Sequence, residues 1–351
     1  MPFEWWKTLI KEVSVDGEYC LRNYKGTRCK ECVKACTNKA ISPNTDSVEL
    51  DHGKCNLCGA CSTACPTEAI PTTFEPYGFL KDRNFIYLCP KSLGQDYSCC
   101  LGWMSIEHVL FKVSGNDVDK IIISPGNCDG CIPGMDKTLR KKARLSRQFI
   151  KNFSRKKDIV YSPQLDGLLE RSEIITFFKE KALGNLKEQF SRTLPGRIYF
   201  QKKRLLLSAL KNLGEIKNDN IKADISQWAE IEIEKEKCDF CGTCSKLCPS
   251  GSLFTHIDNE KEHLLQKPSK CFKCGLCEKI CPQKAISYKS INSIKVFREE
   301  KNTFLITGKN KRCLSCNSMF LDKDEETLCA NCKKSKELKN DIRGILETIS
   351  Q

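Results

Sequence analysis

Cysteine spacing is the feature that most constrains this chain. Three segments have the pattern Cys-x2-Cys-x2-Cys-x3-Cys-Pro, at 55–66, 238–249 and 271–282. Thiolates at such short intervals can surround one face of an iron-sulfur cube, while the fourth cysteine, turned away by proline, reaches a neighbouring cube. The spacing therefore predicts 4Fe-4S clusters that are bound in pairs.

Disulfides and zinc are the alternatives for a chain with 25 cysteines. Disulfides are disfavoured because the short spacings follow one another closely, and because residues 1–6 lack the basic start and apolar core of a secretory signal. Zinc sites usually have two ligands, a long gap and two more ligands, unlike a run of four with a trailing proline. Because oxygen destroys exposed clusters, we expect a cytoplasmic location.

A fourth motif is irregular. Cys29, Cys32 and Cys36 occupy its later positions, Thr37 replaces the proline, and Cys20 precedes them after a longer loop. Exchange of the fourth cysteines between paired motifs gives four ligand sets. They are Cys20, Cys29, Cys32 and Cys65; Cys36, Cys55, Cys58 and Cys61; Cys238, Cys241, Cys244 and Cys281; and Cys248, Cys271, Cys274 and Cys277. In the alternative, Cys20 is a spare thiol and its cluster has only three irons.

Two stretches, 15–75 and 230–290, resemble bacterial-type 4Fe-4S dicluster ferredoxin domains. The resemblance extends to a glycine after the second cysteine and to the sequence Cys-Pro-x-x-Ala-Ile. These occur at Gly59, Gly242 and Gly275, and at 65–70 and 281–286. Small residues let backbone amides approach cluster sulfurs. The resemblance implies a polyferredoxin-like chain that transfers electrons.

The net charge of +14 is the signal that would favour a nucleic-acid partner. A 4Fe-4S core with four thiolates carries about −2, so four clusters remove about 8 charges and leave about +6. Aromatic residues are not interleaved with the basic ones for base stacking. Nucleic-acid binding is therefore disfavoured. No apolar run approaches the roughly 18 residues of a membrane span either.

Basic residues are concentrated at 137–157, where ten cations occur without an acid. Leu139, Ala143, Ile150 and Phe153 have helical spacing, which predicts an amphipathic helix with a cationic outer face. This face is either simply solvated or docks an acidic redox partner. The cations expected to dock such a partner are Arg140, Lys141, Arg144, Arg147 and Lys151.

The segment between the first motifs and the basic helix predicts a β-α-β unit. Residues 84–89 and 118–124 are typical of buried strands, and 105–114 of a helix. Four thiols would meet at the carboxyl edge of these parallel strands. They are Cys89, either Cys99 or Cys100, Cys128 and Cys131. We expect an iron-sulfur or zinc site there, with a redox-active disulfide or structural thiols as alternatives.

Two short sequences in this unit carry a second resemblance. Cys100-Leu-Gly before the helix and Gly126-Asn-Cys-Asp-Gly-Cys after the second strand resemble the delta subunit of methyl-viologen-reducing hydrogenase. The resemblance covers about fifty residues and is loose. It implies iron-sulfur electron transfer to heterodisulfide reductase.

A two-plus-two cysteine pattern near the C-terminus is typical of a zinc ribbon. The four cysteines are Cys313, Cys316, Cys329 and Cys332. A rubredoxin-like iron site has the same spacing but normally has glycine after the second cysteine of each pair. Asn317 and Lys333 occupy those positions, so we expect zinc, in a structural or docking role.

The expected fold is an α+β multidomain architecture. Its domains are a first dicluster module (1–78), an α/β module with cysteines (79–135), a basic helical segment and linker (136–222), a second dicluster module (223–295) and a zinc-ribbon-like region (296–351). Apolar residues between 162 and 213 also have helical spacing.

The expected function is that of an electron-transfer subunit, which relays electrons to or from a partner oxidoreductase. No Gly-x-Gly-x-x-Gly or P-loop sequence occurs, and the four histidines form no evident catalytic group. The alternative is a reductase that acts on a thiol, disulfide or sulfur substrate at the middle cysteine site. The oligomeric state is left open.

Overall fold

The chain folds into two compact units, which are described from a computed structural model. One unit comprises Met1–Ile225 with Asn292–Arg298, and the other Ser226–Ile291 with Glu299–Gln351. The structure describes residues 13–24, 27–71, 76, 78–89, 100–163, 201–220, 229–258, 261–291, 293–317, 319–322 and 326–349. Cys99 and the predicted helical residues at 164–200 lie outside this part of the chain.

The first dicluster module has two short helices and a hairpin. Helices α1 (Glu31–Ala35) and α2 (Ala60–Ala64) each lie within a cysteine motif, and β1 (Ile41–Pro43) pairs antiparallel with β2 (Val48–Leu50). The core of this module consists of Val13, Ile41, Val48, Cys61, Ile70 and Trp103. Trp103 comes from the following module, so the two modules share one core.

The middle module is a sheet with the strand order β3-β4-β5-β6. Its strands are β3 (Gly78–Lys81), β4 (Asn84–Leu88), β5 (Lys120–Ser124) and β6 (Asp158–Tyr161). Strand β3 is antiparallel to β4, whereas β4, β5 and β6 are parallel. The structure thus contains the predicted parallel pair and extends it by one strand on each side.

Two helices connect the parallel strands of this sheet. Helix α3 (Ile106–Val113) connects β4 to β5, and α4 (Met135–Ile150) connects β5 to β6. Ser105 and His108 form a capping box that starts α3, because each side chain bonds the backbone amide of the other residue. The predicted basic helix is therefore the second crossover of the sheet, and it ends at Ile150.

Helix α5 (Gln201–Asn212) packs against α3, and the short helix α8 (Lys295–Arg298) packs against α5. The helical spacing of apolar residues between 162 and 213 predicted a helix here, but not the helices that it contacts. Leu206, Leu210 and Leu213 are buried, whereas Leu207 is half-buried.

The second dicluster module has the same plan as the first. Strand β7 (Ala229–Ile233) pairs antiparallel with β10 (Ile286–Ser290), and the helices of its cysteine motifs are α6 (Thr243–Lys246) and α7 (Leu276–Ile280). Ile231 of β7 is buried in its core with Leu253 and Ile286.

A four-stranded antiparallel sheet joins this module to the C-terminal region, with the order β12-β11-β9-β8. The strands are β8 (Leu253–Asp258), β9 (Lys261–Gln266), β11 (Thr303–Arg312) and β12 (Met319–Asp322), and helix α9 (Ala330–Ile349) follows. The hairpin between the two cysteine motifs thus continues into the ribbon. Over the part of the chain that is described, no helix combines the length and apolarity needed to cross a membrane.

Candidate metal centres

The four cysteines of the first predicted ligand set line a single pocket. Cys20 and Cys65 are buried, and Cys29 and Cys32 are half-buried. Burial raises the pKa of Cys32 to about 12, and the neighbouring thiols of Cys65, Cys29 and Cys20 contribute to this rise. Crowded thiols of this kind ionise together only when a cation compensates them, so the donor set fits a metal cluster. Cys20 lies with its predicted partners, despite the long loop.

The second set brings Cys36 to the loop of the other motif. Burial is the main cause that raises the pKa of Cys58, and the thiols of Cys36 and Cys55 also raise it. The pKa of Cys61 is raised to about 12 by burial and then by Cys58. The amide of Ala40 donates a hydrogen bond of 3.3 Å to Cys36 Sγ. Cys36 is thus close to the thiols with which crossed ligation pairs it.

The second module repeats both arrangements. Burial raises the pKa of Cys244 to about 12, with further contributions from Cys238, Cys241 and, from the other motif, Cys281. Four more thiols line one pocket, namely Cys248, Cys271, Cys274 and Cys277. Here too the fourth cysteine of one motif lies among the first three of its neighbour.

The three regular motifs share a left-handed backbone at two positions. Leu57, Phe240 and Lys273 have φ of 55°, 54° and 51°, and the glycines after the second cysteines, Gly59, Gly242 and Gly275, have φ of 75°, 69° and 71°. Backbone in this conformation turns successive N–H groups toward an anion. The amide of Lys273 accordingly donates to Cys271 Sγ at 3.4 Å. Glycine is suited to this conformation because it has no Cβ.

Trp103 connects the first cluster loop to the middle module. Its indole Nε1 donates a 2.7 Å hydrogen bond to the carbonyl of Leu57, and its side chain is fully buried. A Cβ on Gly59 would lie 2.2 Å from the Trp103 ring, and one on Gly102 would lie 2.3 Å from the carbonyl oxygen of Cys58. Two glycines therefore allow the two segments to approach each other this closely.

The middle cysteines lie near one another at the carboxyl edge of the sheet. Burial raises the pKa of Cys100 to about 12, and Cys89, Cys58 and Cys128 contribute to this rise. Burial also raises the pKa of Cys128 to about 11, with contributions from Cys89 and Cys131. Cys131 is exposed. Cys100 is thus close to Cys89 and Cys128 and also to Cys58 of the first module.

Tyr161 and Asp136 lie beside this site and were not anticipated from the sequence, whereas Arg140, which bonds Asp136, was expected only as a surface cation. The hydroxyl of Tyr161 donates to the Asp136 carboxylate, which also accepts a 2.7 Å bond from Arg140 Nε. The Arg140 guanidinium lies 4.6 Å from the centroid of the Tyr161 ring. The Asp136 carboxylate is close enough to raise the pKa of Cys128. Tyr161 ends a third parallel strand, and recognition of that strand in the sequence would have placed Tyr161 at the same edge of the sheet as the middle cysteines.

The ribbon cysteines form the tightest thiol group in the described chain. The four Sγ atoms of Cys313, Cys316, Cys329 and Cys332 lie within 4.8 Å of one another. Cys316 Sγ and Cys329 Sγ are 3.7 Å apart. Tetrahedral bonds of about 2.3 Å to one zinc ion place the sulfurs about 3.8 Å apart, so the spacing fits a single metal ion. Asn317 has φ of 58°, a conformation that asparagine tolerates better than most residues.

Two of the ten predicted surface cations point inward, so the expectation of a uniformly cationic outer face is wrong for them. Lys142 Nζ donates to main-chain carbonyls of Gly102 and Met104, and Lys157 Nζ to that of Gly115. The Lys157 side chain is only 5% exposed. The physical reason is the long methylene stem, which packs on apolar surface while the ammonium reaches buried carbonyls.

Two further cations of the predicted docking face are paired with acids that flank the basic run. Arg140 bonds Asp136, and Arg147 Nε lies 2.9 Å from Asp158. Leu139 and Ala143 are buried as predicted.

The dicluster modules match known domains. Residues 25–69 and residues 230–282 each match a family described as a 4Fe-4S dicluster domain. The chain is also 45% identical over 42 residues to one subunit of an ion-translocating oxidoreductase complex from Methanosarcina acetivorans. That similarity covers 12% of this chain and 16% of the relative. The cysteine loops and these matches define an iron-sulfur protein of the electron-transfer class. Within that class, the chain is one that carries two 4Fe-4S dicluster domains.

Proposed function

We propose that this chain relays electrons through four 4Fe-4S clusters between a donor and a partner oxidoreductase. The observation that carries the proposal is the interleaved placement of the thiols. Cys65 lies with Cys20, Cys29 and Cys32, although it belongs by sequence to the other motif. Only crossed ligation of two clusters requires this exchange. When bound, such clusters supply one-electron redox chemistry.

The residues that would hold the clusters are the four sets predicted from the sequence. The left-handed turns supply amides to their sulfurs, and such hydrogen bonds are among the factors that set reduction potential. The ribbon thiols would hold zinc, since their spacing suits one tetrahedral ion. The sensitivity of such clusters to oxygen favours a cytoplasmic location.

The middle site would be the next redox centre to receive electrons from the first dicluster module. Cys100 lies close to Cys58, and the buried contact of Trp103 and Gly102 holds their segments together. We assign Cys89, Cys100, Cys128 and Cys131 to an iron-sulfur or other metal site. The thiol of Cys58 is near enough to raise the pKa of Cys100, which supports a route for electrons from the first module into the middle module.

Anaerobic purification with iron and sulfide analysis tests the proposal. We expect about sixteen irons from the dicluster modules, which is four for each four-cysteine set. These irons should be reduced by dithionite without an added substrate. Fewer than about eight irons after reconstitution would contradict the arrangement.

A reductase at the middle site is the second candidate, and the exposure of the Cys131 thiol favours it. A disulfide substrate would gain two electrons from the relay and two protons from solvent, and would give two thiols. The test is dithionite-driven reduction of a small aromatic disulfide by the full chain. Cys131→Ser should abolish this activity but leave the dicluster modules reducible. If the intact protein does not reduce the disulfide, the reductase function is excluded and electron relay is the only proposed function that stands.

A further inference from the structure

We propose that the ammonium group of Lys142 is a fixed positive charge between two redox sites, and that it raises the reduction potentials of both. The sites are the Cys36, Cys55, Cys58 and Cys61 set and the middle cysteine site. The inference rests on the proposed function, because it requires metal clusters at these positions.

The Lys142 side chain crosses from α4 into the contact between the first dicluster module and the middle module. Nζ donates to the carbonyl of Met104 at 2.6 Å, to the carbonyl of Gly102 at 3.1 Å and to Thr63 Oγ1 at 3.3 Å. Thr63 follows Cys61 by two positions, and Gly102 follows Cys100 by two positions. The ammonium therefore bonds to segments that carry a ligand of each site.

All three hydrogen-bond partners of Lys142 are neutral. No carboxylate in the described parts of the chain lies within 4 Å of Nζ. The buried carboxylate of Glu107 raises the pKa of Lys142, whereas the buried ammonium of Lys202 lowers it. Burial without a paired anion is costly for an ammonium. The thiols of Cys58 and Cys100 also act on Lys142, and as metal-bound thiolates they would supply the negative charge that compensates it.

Burial lowers the pKa of Lys142 to about 8, so the side chain is still charged at neutral pH. The negative charge of a bound cluster would hold it protonated more firmly. The ammonium form therefore predominates at neutral pH.

A fixed cation favours the reduced state of a nearby cluster. One electron from dithionite changes the charge of a 4Fe-4S site with four thiolates from about −2 to about −3. Attraction to a buried ammonium grows with that charge, and the low dielectric of the interior strengthens it. Removing the cation should therefore lower the potential of each neighbouring site.

The experiment compares Lys142→Gln and Lys142→Met with Lys141→Gln in the full chain. Glutamine keeps an N–H donor without charge, methionine removes both, and Lys141 is an exposed neighbour on the same helix. Redox titration followed by electron paramagnetic resonance, with iron and sulfide analysis, gives potentials and cluster content separately. At a fixed potential, both Lys142 variants should show about a tenfold loss in the ratio of reduced to oxidised sites, or about 59 mV for a one-electron couple.

Lys141→Gln and the clusters of the second unit should keep wild-type potentials. Full iron content with unshifted potentials in both Lys142 variants would overturn the inference, while the relay function would stand. A shift in Lys142→Met alone would assign the effect to hydrogen bonding and also overturn it. Wild-type protein without reducible clusters would instead overturn the proposed function.

If the neutral variants lose iron, Lys142→Arg distinguishes an effect of charge from a structural role of Lys142. Arginine keeps the charge, so full iron content with the wild-type potential supports the inference. Lowered potentials, or loss of iron in this variant as well, would assign Lys142 a purely structural role.

Discussion

The indole N–H of Trp103 donates a 2.7 Å hydrogen bond to the carbonyl oxygen of Leu57. Leu57 lies between Cys55 and Cys58, in the loop with positive φ. Trp103 lies three residues after Cys100. The bond therefore fixes the first cluster loop against the start of the middle site.

Trp103→Phe tests how strongly this bond holds the two segments together. Phenylalanine keeps most of the ring but leaves the Leu57 carbonyl without its donor inside the core. An unsatisfied buried acceptor costs about 1–3 kcal/mol, so unfolding should occur at lower denaturant concentration. The measurement is anaerobic denaturant unfolding followed by the visible absorbance of the clusters. Phe111→Leu, at a partly exposed position, should change the midpoint much less.

Gly102→Ala should disturb the same contact from the other side. The added Cβ would lie 2.3 Å from the Cys58 carbonyl oxygen, so the backbone has to shift. We expect loss of iron from the set that contains Cys58, measured by iron analysis and paramagnetic resonance. Gly17→Ala is the control, because no atom lies within 4 Å of its added Cβ. Equal iron contents for the two variants would show that the contact is loose.

The grouping of the cysteines in each motif could be predicted from sequence because their spacing is local. A Cys-x2-Cys loop places two thiolates on one metal core by covalent geometry alone. Even the fourth cysteine follows from the general rule of crossed ligation. Cys20 lies outside this local spacing, and the pocket that it shares with Cys65 supports its assignment to the first set.

The surroundings of the middle site could not be predicted in this way. Lys142 bonds to Thr63, Gly102 and Met104, which are 79, 40 and 38 residues away in sequence. A basic residue on an amphipathic helix gives no sign of such partners, because helical periodicity locates a face but not the atoms opposite it. Strand β6 (Asp158–Tyr161) was missed because it is short and follows a strongly basic run, and Tyr161 was missed with it.

Cys36→Ser tests crossed ligation directly. Cys36 lies among the thiols of the neighbouring motif, so the cluster held by Cys55, Cys58 and Cys61 should be damaged or converted to a three-iron form. Cys20→Ser should instead damage the cluster of Cys29 and Cys32. Site-resolved paramagnetic resonance distinguishes the two. The pairing is wrong if Cys36→Ser damages only the cluster of Cys29 and Cys32.

The ribbon predicts a pH dependence of metal retention. The amide of Cys329, 3.3 Å from Cys313 Sγ, is the main cause that lowers the pKa of Cys313 from 9.0 to about 6. Because the folded pKa lies below the ordinary value, ionisation of Cys313 stabilises the fold fully above about pH 9. This contribution is lost as the pH falls through about 6. Zinc binding has the same sign, since the metal requires thiolates and releases protons.

We therefore expect zinc to leave the full chain faster at pH 5.5 than at pH 7.5 in the presence of a chelator. The measurement is zinc release followed with a colorimetric dye, with Cys313→Ser as the variant that loses metal at both pH values. Release at one rate across this range would contradict a thiolate-held ion at the ribbon.

The last prediction concerns the outer face of α4, where pairing leaves fewer free cations than the sequence suggested. Arg140 and Arg147 are bonded to acids. Lys141, Arg144 and, just after the helix, Lys151 are exposed and have no carboxylate within ion-pair distance in the described chain. An acidic redox partner would be steered toward these three. Charge attraction of this kind acts mainly on the association rate, and salt weakens it because the Debye length is roughly 8 Å at physiological ionic strength.

The test is the double variant Lys141→Glu/Arg144→Glu, with Lys336→Glu/Lys339→Glu on exposed α9 as a control of equal charge change. Electron exchange with a small acidic ferredoxin is followed by stopped flow over a salt series. The α4 variant should react several-fold more slowly at low salt and show a weaker salt dependence, while its reduction potentials stay unchanged. The control should keep the wild-type salt dependence, because local charge at the docking face matters more than net charge. Equal salt slopes for all three proteins would mean that the α4 face is only solvated.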